Sequence, residues 1–543
     1  MKRLIPIILI MAVLTGCGKA AVSEPSAAVT AAAAAEHTAP VAPSPEVSPE
    51  ASSNTVAEPD PFEYMEKMFS GNVLEIEITA SEENWDYLQE HALESPWIAA
   101  DITIDGETFP NVGIRTKGNT SLSSVARSDS SRYSLKVNFG KYENGQTCFG
   151  LDKMALNNIY ADNTYLKEYM SYHLFQYMQV PASLCAFCRI CVNGEYYGFC
   201  LAVEDTDKSF LARYAGPDNK LEAYKPDTFK MGGGPGGPGG GFPNPPEGGF
   251  PPRPGEIDWE SIDWENIDWE NFERPQFPTA PGGMDRGVSL QYTDDDPTAY
   301  SGIFENSITK ISDRDKARVI GALKAISEGE DLELYINVDE VLRYTACNVF
   351  LVNMDSYFSM MGHNYVLVEN RGQLSMVPWD YNLSFGTHNV GTASDAVNYA
   401  VDTVFSGTTA EQRPVIGKLL EIDEYREQYH TYLRQICEDY IGGGVFDEEI
   451  DRVTASIDGY VRQDSTSFGG YDAFLTGVPA LRLFGALRAQ SVLGQLNGTI
   501  PSWKEEQYGS ENLVDASELD LSLLGSMGMG RRPPAAWNPA SNE

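Results

Sequence analysis

The sequence predicts an α+β fold with a strand-rich N-terminal lobe and a mainly helical C-terminal lobe. Residues 72–230 consist of short apolar alternations broken by Gly and Asn, which is typical of β-structure. In residues 288–504 the apolar side chains recur instead at helical spacing, with usable caps. Between the two lies a segment, 231–287, that is dominated by Gly and Pro. Two folded lobes joined across a disordered insertion are therefore expected.

The strands of the first lobe are predicted from period-two alternation of apolar residues. The runs that show it are 73–78, 101–104, 112–116, 133–139, 186–192 and 196–203. Asn193-Gly194 joins the last two runs and is a strong signal for a two-residue hairpin turn. Residues 162–178 carry apolar side chains at helical spacing and predict one prominent helix.

Helices dominate the second lobe. Helical spacing and caps predict them at 313–326, 338–353, 415–440, 448–461 and 479–495. Residues 364–368 and 374–378 form a β-hairpin in this interpretation, with Asn370-Arg371-Gly372 at its turn.

The first seventeen residues predict export. A basic start, Lys2-Arg3, precedes an apolar stretch, 4–14, that is shorter than the roughly 20 residues a membrane-spanning helix needs. Leu14-Thr15-Gly16-Cys17 follows and resembles a bacterial lipobox, so residues 1–17 are interpreted as a lipoprotein signal peptide. Acylated Cys17 would hold the chain to the outer face of a bacterial membrane. Whether that face meets a periplasm, a cell wall or a developing spore stays open.

Three segments lack the composition for a core. Residues 18–71, rich in Ala, Pro and Ser, predict a disordered tether. The insertion 231–287 contains three repeats of the form Ile-Asp-Trp-Glu-x, whose period of five fits neither helix nor strand. Its repeats either bind a basic peptide or are inert. Residues 505–543 predict a mobile tail.

The charge balance excludes one class of partner. The chain has 39 Lys and Arg against 78 Asp and Glu, a net charge of −39. Nucleic acid binding needs a basic surface, so no nucleic acid partner is expected. The charge favours a basic protein partner, unless it serves only to keep an exported protein soluble.

Two carboxylates in apolar surroundings predict the functional site. Asp355 and Asp380 flank the hairpin, with Asn364 between them. Because burying an unpaired ion is costly, such residues indicate a metal, a phosphate-bearing ligand, or both. Oxygen ligands of this kind favour Mg²⁺ or Mn²⁺ over zinc.

Several motifs, in a fixed order, resemble the CotH-type kinase family, which is named for spore coat protein H. The matching stretches are 113–121, 156–158, 192–198, 377–386, 418–421 and 425–426. The resemblance covers about residues 75–500. It implies an atypical protein-kinase-like, two-lobed fold that binds ATP and a divalent metal. It also implies phosphorylation of serine or threonine on secreted or coat proteins, for which a basic, Ser-rich substrate is expected.

The resemblance also implies roles for the residues of the second lobe. Asp355 matches the catalytic aspartate of the family, and Asp380 matches its metal-binding aspartate, with Asn364 as a second ligand. Family members often carry a further acidic residue where this chain has Asn382. If that position binds the metal, the affinity for the metal would fall.

Roles in the first lobe follow from the same kinase-like layout. Lys136 is expected to reach the phosphates, with Arg115 and Lys117 as competing cations. Glu168 on the predicted helix would pair with the lysine, as kinase folds require. Glu204, at the end of a strand, would lie at a hinge that contacts the adenine.

Three functions fit these residues. The first is an ATP-dependent Ser/Thr protein kinase. The second is a catalytically inactive, nucleotide-binding surface or coat module, which Asn382 and the scarcity of ATP outside the membrane favour. The third is an enzyme of kinase fold that transfers AMP.

Overall fold

The computed structural model describes residues 60–216, 220–227, 285–525 and 527. The predicted signal peptide with Cys17, most of the predicted tether and nearly all of the predicted insertion with its repeats lie outside these residues. Within them the chain is mixed α+β, with a strand-rich region followed by a helical region, which confirms that part of the prediction.

The strands alternate with short helices up to residue 224, and one hairpin follows in the helical region. The strands are β1 (Leu74–Thr79), β2 (Ile98–Ile104), β3 (Glu107–Lys117), β4 (Ser134–Asn138), β5 (Lys153–Asn157), β6 (Cys185–Val192), β7 (Glu195–Glu204), β8 (Glu222–Tyr224), β9 (Tyr365–Asn370) and β10 (Gln373–Pro378).

The helices of the strand-rich region are α1 (Glu63–Phe69), α2 (Glu82–Glu90), α3 (Thr120–Val125), α4 (Lys167–Tyr177) and α5 (Lys208–Ala215). Those of the helical region are α6 (Ser301–Phe304), α7 (Asp313–Glu328), α8 (Leu332–Tyr335), α9 (Val338–Leu351), α10 (Ala393–Val397), α11 (Pro414–Leu420), α12 (Asp423–Gln435), α13 (Val445–Gln463), α14 (Gly470–Leu496) and α15 (Lys504–Gln507).

Seven strands close into a barrel in the order β1-β2-β3-β4-β5-β7-β6. Its interior is a core of branched apolar side chains such as Ile102, Ile114 and Leu135. The predicted β6–β7 hairpin is confirmed, and its turn residues Asn193 and Gly194 have φ angles of 52° and 83°. Two left-handed residues in succession are what a type I′ turn requires.

The barrel wall formed by β5, β6 and β7 is buried on both faces. Cys200 and Ala202 of β7 point into the barrel core, whereas Leu201 and Val203 pack in a second core with α4 and α9. Because side chains alternate along a strand, the outward face of this wall lies toward the helical region.

A second sheet, in the order β10-β9-β8, lies in the helical region. Its hairpin turns at Arg371-Gly372, within the predicted turn. Both residues have positive φ angles. The predicted helix over 415–440 is wrong as a single element. It is divided at Glu421-Ile422 into α11 and α12, and α12 continues into a π-helical segment, Ile436–Ile441.

Two predicted boundaries are corrected by burial. The tether was expected to reach residue 71, but Tyr64 and Met68 of α1 are buried in the barrel core. The mobile tail was expected from residue 505, but Val514 and Leu524 are buried in the second core. Both segments bury too few apolar residues for a periodic pattern to reveal them. Within the described residues, no helix combines the length and the apolarity that crossing a membrane would require.

Candidate functional site

The carboxylate of Asp355 lies at the end of the β9–β10 hairpin opposite its turn. α9 ends at Leu351, and Val352 takes a left-handed conformation with φ of 49°, which redirects the chain. His363 Nε2 lies 2.7 Å from one carboxylate oxygen of Asp355. Asn364 Nδ2 donates to the other oxygen at 2.9 Å and to the backbone carbonyl of Asp355 at 2.8 Å. Asp355 is therefore fixed by two neighbouring side chains.

The two partners shift each other's pKa in opposite directions. Burial opposes ionisation of Asp355, but the hydrogen bond and charge of His363 bring the pKa of Asp355 below its ordinary value. Burial likewise opposes protonation of His363, but Asp355 raises the pKa of His363 above its ordinary value. Asp355 is thus ionised at neutral pH, which suits a group that orients or deprotonates a hydroxyl.

Asp380 follows β10 at the same end of the hairpin. The backbone N–H of Trp379 donates to the carbonyl of Asn364 at 3.3 Å and so keeps the two acidic segments together. Asp380 has φ of 61°, and its N–H donates to the hydroxyl of Tyr172 at 3.1 Å. Among the residues that the structure describes, nothing forms a hydrogen bond or an ion pair with its carboxylate. Non-glycine residues at positive φ are uncommon and concentrate at functional sites.

Basic side chains face this hairpin from the outer surface of the barrel wall. Arg115 of β3 lies opposite Lys136 of β4 in the register, and Lys117 is two residues further on the same face. Lys136 forms an ion pair with Asp205. Lys117 Nζ donates to Oδ1 of Asn157 at 2.6 Å. The sequence-predicted cations Arg115, Lys117 and Lys136 thus share one face of the sheet.

Arg115 of this group packs against an aromatic ring. Its guanidinium carbon lies 5.2 Å from the ring centroid of Trp97, and burial lowers its pKa. Stacking on this ring holds the guanidinium at the edge of the basic group.

Glu168 joins the same group from α4. Asn157 Nδ2 donates to one of its oxygens at 2.8 Å, and the hydroxyl of Tyr172 donates to the other at 3.2 Å. Burial, and then the charge of Asp380, raises the pKa of Glu168 to about 7. Glu168 therefore lies within electrostatic reach of the carboxylate predicted to bind metal.

The expected pairing of Lys136 with Glu168 is wrong. Lys136 pairs with Asp205, and the amide of Asn157 instead bridges Lys117 and Glu168. The register explains the difference, because Lys117 lies opposite Ser134, two residues before Lys136 on β4. That offset places Lys136 further from α4 by about 7 Å along the strand.

The side chain of Glu204 does not join this group. Its carboxylate is fully buried, accepts hydrogen bonds from Tyr64 and from the N–H of Leu184, and forms an ion pair with Arg213. The next residue, Asp205, faces outward and contacts Lys136. The expected adenine contact therefore has no support from the side chain of Glu204.

Lys225 and Trp379 belong to the site although the sequence did not single out either of them. Lys225, just after β8, places Nζ 3.8 Å from the ring centroid of Trp379, and Lys117 Nζ lies 5.4 Å from the same centroid. Burial lowers the pKa of Lys225 to about 7; the charge of Asp205 opposes this shift, and those of Lys136 and Lys117 add to it. Trp379 lies within the matching stretch 377–386. Lys225 borders the Gly/Pro-rich segment, and no periodic pattern in the sequence indicates a role for it.

The donor chemistry fits a hard divalent cation. Asp380 offers a carboxylate, and Asn364 offers Oδ1 because its Nδ2 is engaged by Asp355. Across the described ranges, no group of three or more His, Cys, Asp or Glu side chains could hold a metal by itself. Mg²⁺ is commonly bound through one or two carboxylates together with substrate phosphates. These two oxygen donors therefore suit Mg²⁺ or Mn²⁺ bound together with a nucleotide.

Comparison with protein families gives a match that covers the candidate site. A family model described as "CotH: CotH kinase protein" matches residues 114–492, about seven-tenths of the chain. The site residues from Arg115 to Asp380 all lie within the matched range. No curated protein matches the chain.

Proposed function

The chain belongs to the CotH kinase family, and from this premise we propose that it is an ATP-dependent protein kinase acting on serine or threonine. The family membership supports a kinase-like phosphotransferase activity. The observation that carries the proposal is the arrangement of Asp355 and Asp380 at one end of a hairpin, opposite a sheet face that bears three basic residues.

In this proposal the barrel and the helical region act as the two lobes of an atypical kinase. The substrate site would lie between the outer face of β3 and β4 and the end of the β9–β10 hairpin. The two regions approach each other here, since Lys117 Nζ of β3 lies 5.4 Å from the ring centroid of Trp379, which follows β10. Kinase chemistry depends on such placement, since catalysis of phosphoryl transfer is mainly positioning and charge stabilisation.

Each group has a defined task. Asp355 would orient the substrate hydroxyl and take its proton, while His363 and Asn364 hold the carboxylate in place. Lys117, Lys136 and Arg115 would neutralise phosphate charge. Asp380 and Asn364 would hold Mg²⁺ or Mn²⁺. When bound, ATP with its metal would supply the phosphoryl group.

The substrate and location remain part of the proposal. The net charge of −39 supports a basic, Ser-rich protein as the substrate. The apolar stretch before Cys17 supports export and lipid anchoring at the outer face of a bacterial membrane.

A second candidate is a nucleotide-binding module without transfer activity. Asn382 favours it, since an amide stands two residues after Asp380 where a further carboxylate would strengthen metal binding. In that case nucleotide and metal would still bind at Asp380.

Intact mass measurement separates these functions. The full chain is incubated with a basic Ser-rich protein, ATP and either Mg²⁺ or Mn²⁺. The intact masses of both proteins are then measured. A gain of about 80 Da per site identifies phosphoryl transfer. It should be lost in Asp380→Asn and kept in Asp472→Asn, a substitution at an exposed position of α14.

The remaining outcomes are equally distinct. A gain equal to one adenylyl group would identify AMP transfer. No gain, with ATP still raising the thermal midpoint, would support the inactive module. If neither transfer nor ATP binding is detected, the proposal is contradicted.

A further inference from the structure

Lys225 is held in the site by backbone and ring contacts. It follows β8, whose residues pair with β9 of the hairpin, and its own N–H donates to the carbonyl of Asn306 at 3.0 Å. Its ammonium lies over Trp379, only 3.8 Å from the ring centroid. Trp379 is 5% exposed and packs in a small core with β8 and β9, so the ring is a fixed platform.

The ammonium of Lys225 has no polar partner among the residues that the structure describes. Within the described ranges, no oxygen accepts a hydrogen bond from it and no carboxylate forms an ion pair with it. The other two lysines differ, because Lys136 is paired with Asp205 and Lys117 donates to Asn157. A half-buried ammonium without an oxygen acceptor loses hydration that the contact with the Trp379 ring replaces only in part.

Charges of both signs surround the ammonium of Lys225. Lys117, Lys136 and Lys225 influence one another across the same space, with Asp205 and Asp380 as the nearby anions. In a chain of net charge −39, three neighbouring lysines are unexpected unless an anion binds among them. A multiply charged anion would supply acceptors to all three.

We propose that Lys225 is a further phosphate-binding residue of the nucleotide site, positioned by the indole of Trp379. This inference rests on the proposed function. Lys225 would contact the phosphate chain from the hairpin side, and Lys117 and Lys136 from the barrel side. The phosphates would thus be bound between the two regions that carry the rest of the site.

The test measures binding of ATP and of inorganic tripolyphosphate to the full chain by titration calorimetry. In Lys225→Met, both ligands should bind about 10- to 100-fold more weakly, the loss expected for one charge-assisted contact. In Lys225→Arg, which keeps the charge, most of the affinity should remain. Lys324→Met is the matched control, because Lys324 is also half-buried and lies over an aromatic ring, that of Tyr292. It should bind as the wild type does.

Each other outcome has a definite meaning. Unchanged affinity in Lys225→Met would overturn the inference while leaving the proposed function intact. Weaker binding of ATP with unchanged binding of tripolyphosphate would also overturn it, since the contact would then be to the nucleoside. If the wild-type chain binds neither ligand, the proposed function itself fails, and this inference with it. If Lys225→Met does not fold, wild-type-like affinity in Lys225→Arg supports the inference, and a loss as large as that expected for methionine overturns it.

Discussion

The side-chain amide of Asn364 donates twice to Asp355, at 2.8 Å to the backbone carbonyl and at 2.9 Å to the carboxylate. Both partners are acceptors, so the amide nitrogen must face them, and Oδ1 remains available to ligate a cation. One residue therefore positions the proposed base and offers a metal ligand.

Replacing Asn364 should affect both tasks. In Asn364→Ala we expect kcat to fall by about 10- to 100-fold, because Asp355 loses two hydrogen bonds. The Mg²⁺ concentration for half-maximal rate should rise as well, because an oxygen ligand is lost. Steady-state kinetics across a Mg²⁺ titration measures both, with exposed Asn512→Ala as the control. A lower kcat at an unchanged Mg²⁺ requirement would leave Asn364 only a positioning role.

The pair of His363 and Asp355 predicts a pH-dependent stability. The pKa of His363 is above its ordinary value of 6.5, so its stabilising contribution is complete below that pH. The contribution is lost as the pH rises through the folded-state pKa. Asp355 stays ionised throughout, since its pKa is lowered.

Replacing His363 by glutamine should remove this dependence. The stability advantage of the wild type over His363→Gln should be larger at about pH 6 than at about pH 9, by an amount of order 1 kcal/mol. Urea unfolding at the two pH values measures it. An advantage that is equal at both values would mean that folding leaves the pKa of His363 unchanged.

Glu168 predicts a loss of stability with rising pH in a lower pH range. Its pKa rises from 4.5 to about 7, first through burial and then through Asp380. The folded chain therefore holds a proton that the unfolded chain has released, and the wild type loses stability as the pH rises from about 4.5 to 7. Glu168→Gln should be more stable than the wild type at about pH 8, by of order 1–3 kcal/mol, and equal to it below about pH 4.5. The exposed substitution Glu438→Gln is the control. A variant that is less stable at every pH would show that the interactions of ionised Glu168 with Lys117 and Asn157 stabilise the fold by more than its burial costs.

Glu204 and Asp205 are adjacent in the chain but lie on opposite faces of the barrel wall. Glu204 continues the row of Cys200 and Ala202, and Asp205 continues that of Leu201 and Val203. Because both rows are apolar, alternation along the strand cannot tell which one faces the barrel core. Glu204 was for this reason expected at the site, whereas the outward-facing side chain is that of Asp205.

Substitutions at the two positions should therefore have different effects. Glu204→Gln removes the charge from a buried pair with Arg213 and should destabilise the chain by about 3–5 kcal/mol, leaving the ATP affinity of the folded chain unchanged. Asp205→Asn frees Lys136 and should tighten ATP binding by about 3- to 10-fold. Urea unfolding and ATP titration of both variants test this. A Glu204→Gln chain of wild-type stability that has lost ATP affinity would restore the adenine role.

The acidic residues of the candidate site could be predicted from the sequence, but the lysine that packs beside them could not. Asp355, Asn364 and Asp380 stand beside a hairpin whose strands and turn have strong local signals, so their proximity could be predicted. Lys225 depends on the pairing of β8 with β9, a contact between segments some 140 residues apart. Local patterns cannot reveal such a pairing.

Asp355 and Asp380 are assigned different tasks at one site. The most direct test of this assignment compares Mg²⁺-dependent ATP affinity in Asp355→Asn and Asp380→Asn, measured by calorimetry with and without Mg²⁺. Asp355→Asn should bind ATP as the wild type does and transfer no phosphate, whereas Asp380→Asn should lose the Mg²⁺-dependent part of the affinity. Equal loss of that affinity in both variants, or in neither, would contradict the assignment.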